Sequence, residues 1–158
     1  MNAQPLRAGE GWRLEPLASS RTLEIAGFAP VPQAQAHAWP LAPGAVLYDG
    51  AGMPALLHVA AARWFAPQSN LDLAARLQGA EAFACVIEVT GKWAGWHLGG
   101  PAAPRLLART IAIDAVLAER GCAAVTLFDC PAFVARRDGD FLVWVRSSFE
   151  RHFLEVVG

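Results

Sequence analysis

The run Phe141-Leu142-Val143-Trp144-Val145 constrains this chain more than any other stretch. It follows Asp138-Gly139, a pair that accepts the positive φ angles of a type I′ turn, and residues 132–137 precede that turn as the other strand of a hairpin. Phe141, Val143 and Val145 fall on one face of the strand, Leu142 and Trp144 on the other. A strand that is apolar on both faces has to be covered on both. One cover follows directly. Residues 147–150, Ser-Ser-Phe-Glu, have the spacing of a capping box, and Phe149, Phe153, Leu154 and Val157 give the apolar side of a C-terminal helix. The second cover is either the N-terminal half or another subunit.

The remaining pattern is short strands and short helices. Residues 83–89 carry apolar side chains at the odd positions, which predicts a strand. Thr90-Gly91-Lys92 then turns the chain, and residues 93–98 return as its hairpin partner. Gly99-Gly100-Pro101 breaks that strand, Pro104 suits the first turn of a helix with Leu106 and Leu107 on its buried side, and residues 114–120 predict another helix ended by Gly121. Residues 122–128 predict a further strand. In the first half, residues 1–20 read as an extended arm, ordered only against something else. Residues 21–28 predict a strand, and so do 46–48 and 56–59 around Asp49-Gly50. Four prolines in residues 29–43 exclude a regular helix or central strand. A short helix starts near Ser69, its cap, with Asp72 in the first turn, and stops at Gly79. The expected fold class is α+β: antiparallel or mixed sheets with short helices packed on them. Residues 1–60 form a partner-contacting arm with short strands, and residues 61–158 form the main α+β domain.

Composition narrows the functional classes. Hydrophobic residues make up 54% of the chain and charged residues 17%, with mean hydropathy +0.30; ordinary soluble domains carry about 25% charged residues. A membrane protein, an alanine bias or a subunit buried against partners would each give this balance. A spanning helix needs about 20 apolar residues in a row, whereas the most apolar stretch, residues 53–62, is interrupted by His58 and closed by Arg63. The first 13 residues lack a signal-peptide core, so a cytoplasmic protein is expected. Alanine explains part of the hydropathy, and six tryptophans, a residue enriched at interfaces, point to a partner as well. Trp39, Trp64, Trp96 and Trp144 are the candidate interface residues. A net charge of −1 and a single lysine, Lys92, leave no basic footprint for nucleic acid. Arg136-Arg137 stands beside Asp138 and Asp140 and reads as a solvated hairpin end.

The residues assemble no reactive constellation. Three cysteines, Cys85, Cys122 and Cys130, include no C-x-x-C pair, and none has a base nearby in sequence. His37, His58, His97 and His152 stand apart, without metal-ligand spacing. The glycines at 91, 95, 99 and 100 lie in a hairpin and a turn and do not open a helix after a parallel strand, as a dinucleotide site requires. Trp93 and Trp96 face opposite ways on one strand, which puts one in the core and the other at a contact surface. No catalytic, cofactor-binding or metal-binding residue is assigned.

Residues 86–108, V-I-E-V-T-G-K-W-A-G-W-H-L-G-G-P-A-A-P-R-L-L-A, resemble the V-D-V-S-H-G…L-x-G-P-x-A-x-x-L-L-A stretch of the folate-binding proteins of the glycine-cleavage T-protein type. Residues 121–126 and the ending at 140–153, D-F-L-V-W-V-R-S-S-F-E-R-H-F, are most similar to the gamma subunits of heterotetrameric sarcosine oxidases within that superfamily. The resemblance covers about residues 60–157. It implies a truncated T-protein-like fold and a non-catalytic gamma subunit beside alpha, beta and delta subunits. It also implies that FAD, FMN, NAD and tetrahydrofolate sit on the partners of an assembly that oxidatively demethylates sarcosine or a related N-methyl amino acid. Thr90-Gly91-Lys92-Trp93 replaces the His-bearing part of the folate motif, and Gly121-Cys122 is followed by Ala123-Ala124 where related iron–sulfur-assembly proteins continue differently. The competing reading is a stand-alone folate-binding, aminomethyltransferase-like protein, for which Glu88 is the only nearby carboxylate to grip a pterin.

Overall fold

The computed structural model of the protein describes residues 7–68 and 71–158. The described residues divide into two compact units, one of residues 7–19 with 91–158 and one within residues 20–90. The units do not follow a boundary at residue 60. That position falls inside a tight hairpin, and the N-terminal arm belongs to a sheet built by the second half.

The discontinuous unit is a six-stranded antiparallel sheet. Its strands are β1 (Arg7–Gly9), β2 (Trp12–Pro16), β8 (Trp93–Gly99), β9 (Cys122–Leu127), β10 (Cys130–Arg137) and β11 (Asp140–Arg146), in the spatial order β1-β2-β8-β11-β10-β9. The arm is ordered against β8: Leu14 lies opposite Leu98 and Glu15 opposite His97. Asp138 (φ +50°) and Gly139 (φ +88°) make the expected turn between β10 and β11. Phe128 (φ +47°) and Asp129 (φ +63°) make an equivalent two-residue turn between β9 and β10 without a glycine.

Both faces of β11 are buried, as its sequence requires. Phe141, Val143 and Val145 have no exposed area; Leu142 and Trp144 keep 4% and 5%. The first three join Leu14, Trp96, Leu98 and Val134 in a core closed by α2 (Ala103–Leu107), α3 (Ile113–Val116) and α4 (Glu150–Val157), through Leu106, Leu107, Ile113, Phe153 and Val157. Each such side chain contributes about 1.5–3 kcal/mol by leaving water. On the opposite face, Trp144 lies over Gly95, where a Cβ would stand 3.0 Å from the indole. The capping box does not form. Residues Ser147–Phe149 make a 3₁₀ turn before α4, and the Ser147 hydroxyl donates to the Gly91 carbonyl at 2.7 Å. The helix predicted over 114–120 is a single turn.

The second unit is a five-stranded antiparallel sheet of β3 (Leu23–Gly27), β4 (Val46–Tyr48), β5 (Pro54–Ala60), β6 (Arg63–Ala66) and β7 (Ala84–Glu88), in the order β4-β5-β6-β3-β7. Here β6 is a strand that the sequence left unassigned. β7 pairs with β3 alone, so the hairpin expected between residues 83–89 and 93–98 is absent. Thr90-Gly91 carries the chain from one sheet to the other, with Gly91 at φ +84°. The alternation in residues 83–89 does not mark a buried face either, because residues 85–88 are all exposed on a sheet edge. The proline-bearing segment contains a 3₁₀ turn, Gln33–Ala38, and lays Trp39 edge-on against Trp64 and Phe83, each at 5.1 Å between ring centroids. Helix α1 (Leu71–Arg76) adds the buried Leu73, and Gly79 stops the chain there at φ +81°. The expected cap, Ser69, lies outside the described residues.

Candidate functional site

Two places gather polar or apolar groups in a way that invites a functional reading. The first is a charged row across β2, β8 and β11. The His97 ring lies between two carboxylates: Nδ1 is 3.3 Å from a Glu15 oxygen and Nε2 is 2.9 Å from Asp140 Oδ2. Arg13 Nε stands 3.5 Å from the other Glu15 oxygen, and the Gly100 amide donates to Asp140 at 3.3 Å. Each ring nitrogen thus faces a carboxylate oxygen. The row resembles the orienter half of a catalytic triad. However, both ring nitrogens are engaged, and its described contacts include no serine, threonine or cysteine side chain. Its effect is to tie the arm to the sheet. Residues 15, 97 and 140 are far apart in sequence, and only the strand register brings them together.

The second is an open cleft of about 540 Å³ in the five-stranded unit, lined by Gly27, Phe28, Pro30, Leu41, His58 and Trp64 among others. His58 is buried and stacked on Trp64 at 4.6 Å, and the Trp64 indole donates to the Pro40 carbonyl at 3.0 Å. Apolar side chains line it with a single imidazole, so it suits an apolar group better than a charged one.

The sequence-predicted residues fall elsewhere. Trp39, Trp64, Trp96 and Trp144 keep 4%, 5%, 3% and 5% of their surface, so all four pack the interior of this chain rather than offering a free face. Their large apolar area drives them inward. Trp93 is the half-exposed member of its pair; its ring packs tilted against Phe133 at 4.4 Å between centroids, with Lys92 and Arg146 over it. Glu88 is exposed on β7 and lies in neither that cleft nor a second one around Arg105 and Arg136. Arg21 at 2.9 Å and the Thr90 hydroxyl at 3.1 Å bond its carboxylate; these bonds, Arg21 first, hold its pKa below the usual value. Cys85 is exposed, while Cys122 and Cys130 are buried. Burial, followed by the Asp129 charge, pushes the Cys130 thiol pKa up, the opposite of an activated nucleophile. His37 and His152 are exposed. Among the described residues no group of three or more His, Cys, Asp or Glu side chains is placed to hold a metal ion, and no helix is long and apolar enough to cross a membrane.

Two antiparallel sheets with a few short helices define an α+β protein. No protein-family model and no curated protein matches the sequence. Among solved structures the chain is similar to a chain of the heterotetrameric sarcosine oxidase of Corynebacterium sp. U-96, a structure in complex with pyrrole 2-carboxylate. The TM-score is 0.76 at 22% identity, and the match covers 95% of this chain and 84% of that one. The two chains share a fold over the matched residues.

Proposed function

We propose that this chain is the gamma-type, non-catalytic subunit of a sarcosine-oxidase-like flavoenzyme complex in the cytoplasm. Alpha, beta and delta subunits of that complex carry FAD, FMN, NAD and tetrahydrofolate, and the assembly demethylates sarcosine or a related N-methyl amino acid. The observation that carries this reading is the fold match, 95% of this chain against 84% of a chain from a heterotetrameric sarcosine oxidase. In this chain His97 lies between two carboxylates, Cys130 is buried and Glu88 is paired with Arg21.

The test is co-expression of the tagged chain with its neighbouring genes, followed by purification, an absorption spectrum and an assay with sarcosine. The expected result is a yellow complex that oxidises sarcosine, with this chain colourless when purified alone. A monomer that captures none of the neighbouring products and binds tetrahydrofolate overturns the proposal and favours the stand-alone folate-binding reading.

A further inference from the structure

Among the described residues four strands stand at sheet edges: β1, β9, β4 and β7. Free edges are hazards that proteins blunt by shortness, bulges, charge or polar side chains. β1 and β4 have three residues each, and β4 pairs through a bulge. The exposed side chains of β9 are Ala124 and Thr126. β7 is different. It has five residues, no proline, lysine or bulge, and large apolar side chains in water: Val86 is 39% exposed and Ile87 52%. Phe28, 68% exposed, lies beside its first turn of chain, where the Phe28 amide donates to the Phe83 carbonyl.

The register fixes which backbone groups are free to pair. The Val89 amide donates to the Thr22 carbonyl and the Phe28 amide to the Phe83 carbonyl, so residues 83, 85, 87 and 89 are the ones that bond β3. In an antiparallel ladder the alternate residues point the other way. The N–H and C=O groups of the exposed Val86 and Glu88 therefore point out of the sheet at strand spacing, a template that another extended backbone satisfies, while Ala84 at the start of the strand is buried.

We propose that β7 is a docking strand that receives an extended, uncharged segment of a partner chain as the sixth strand of this sheet. Electrostatics sets the segment's chemistry. The strip is apolar apart from Glu88, whose charge Arg21 already meets, so the incoming strand needs apolar side chains and no compensating charge. Size argues for a different, larger chain over a second copy. A stable interface takes about 20–30 residues a side, and five strand residues with Phe28 are a fraction of that. A two-fold β7–β7 pair about Val86 also sets each Glu88 beside the Phe83–Ala84 end of the other strand, where Phe28 lies. Backbone hydrogen bonds give such strand addition its affinity, and the alternating side chains give it selectivity. The proposal rests on the subunit reading only for the partner being a different chain.

The test uses the co-purified complex and three versions of this chain: wild type, Val86→Pro and Ile87→Lys. Proline at 86 removes an outward N–H and no bond to β3, so circular dichroism and the urea midpoint of the free chain should stay close to wild type. The expected result is at least tenfold slower amide exchange at residues 86 and 88 in the complex than in the free chain, and at least tenfold weaker assembly for both variants. Wild-type assembly with unchanged exchange at these amides and full assembly of folded variants overturns the docking strand and leaves the subunit reading intact. A wild-type chain that captures no partner overturns the subunit reading, and the different-chain partner with it. A homodimer of the isolated chain that Val86→Pro dissolves replaces the partner segment with a second copy.

Discussion

Gly100 offers a sharp test of how the N-terminal arm is held. Its φ is +106°, and an added Cβ would stand 2.6 Å from the Gly11 carbonyl oxygen and 3.1 Å from the Trp12 Cα. The same Gly11 carbonyl accepts a bond from the Ala102 amide at 2.8 Å, so the arm's turn is pinned where the Gly100 backbone crosses it. Gly100→Ala thus combines two costs. A left-handed backbone at a residue with a Cβ costs about 1–2 kcal/mol, and forcing a methyl into a closed contact adds about 1–3 kcal/mol. Gly139→Ala is the control. It has φ +88° and nothing within 4 Å of the new Cβ, so it isolates the backbone cost in the same unit. Urea unfolding followed by tryptophan fluorescence should give a loss of about 2–5 kcal/mol for Gly100→Ala. Gly139→Ala should lose no more than about 1–2 kcal/mol. The melting temperature of Gly100→Ala should fall by about 5–15 °C. Equal losses in the two variants would show that the arm does not pass that close to Gly100, and the account of the turn fails.

Val143→Ala, at a position with no exposed area, should cost about 2–3 kcal/mol from two lost methyl contacts and the cavity left behind, read from the urea midpoint at constant slope. A thiol reagent at neutral pH should label Cys85 alone in the native chain and all three cysteines in denaturant; fast native labelling of Cys130 would contradict its burial. By side-chain NMR, Glu88 should titrate below the usual glutamate value of 4.5 and return toward it in Arg21→Ala. Because its folded pKa is depressed, the stabilisation it gives is present above the unfolded glutamate pKa and fades as pH falls through the lowered folded value. An Arg21→Ala stability profile that tracks wild type through that acid range would show the pair to be inert.

Local signals carried the second half of the fold and failed where partners were distant. The Asp138-Gly139 turn, the doubly buried β11 and the apolar side of α4 rest on adjacent residues and were legible. The Gly99-Gly100-Pro101 break was legible too, although its cause, the carbonyl of Gly11 crossing Gly100, was not. Thr90-Gly91 looked like a hairpin turn because its flanks are both strands; only the pairing of β7 with β3 and of β8 with β2 and β11 shows that they enter different sheets. The Ser-Ser-Phe-Glu motif misled because the Gly91 carbonyl takes the Ser147 hydroxyl. Tryptophan count pointed to partners, yet four of the six lie inside the chain at 3–5% exposure. The exposed edge was hidden for the opposite reason: the sequence of residues 84–88 reads like an interior strand.

The interleaved layout sets the order of events during synthesis. Arg13 pairs with Gly99 and Pro16 with Trp96, so β2 waits for residues about eighty positions later before its ladder to β8 can form. At about 5–20 residues per second on the ribosome, that is several seconds to some fifteen seconds. Residues 20–90, whose ends already meet where the Val89 amide reaches the Thr22 carbonyl, emerge complete within that interval. The inserted unit thus has time to fold first, and the arm stays unpaired until β8 has emerged.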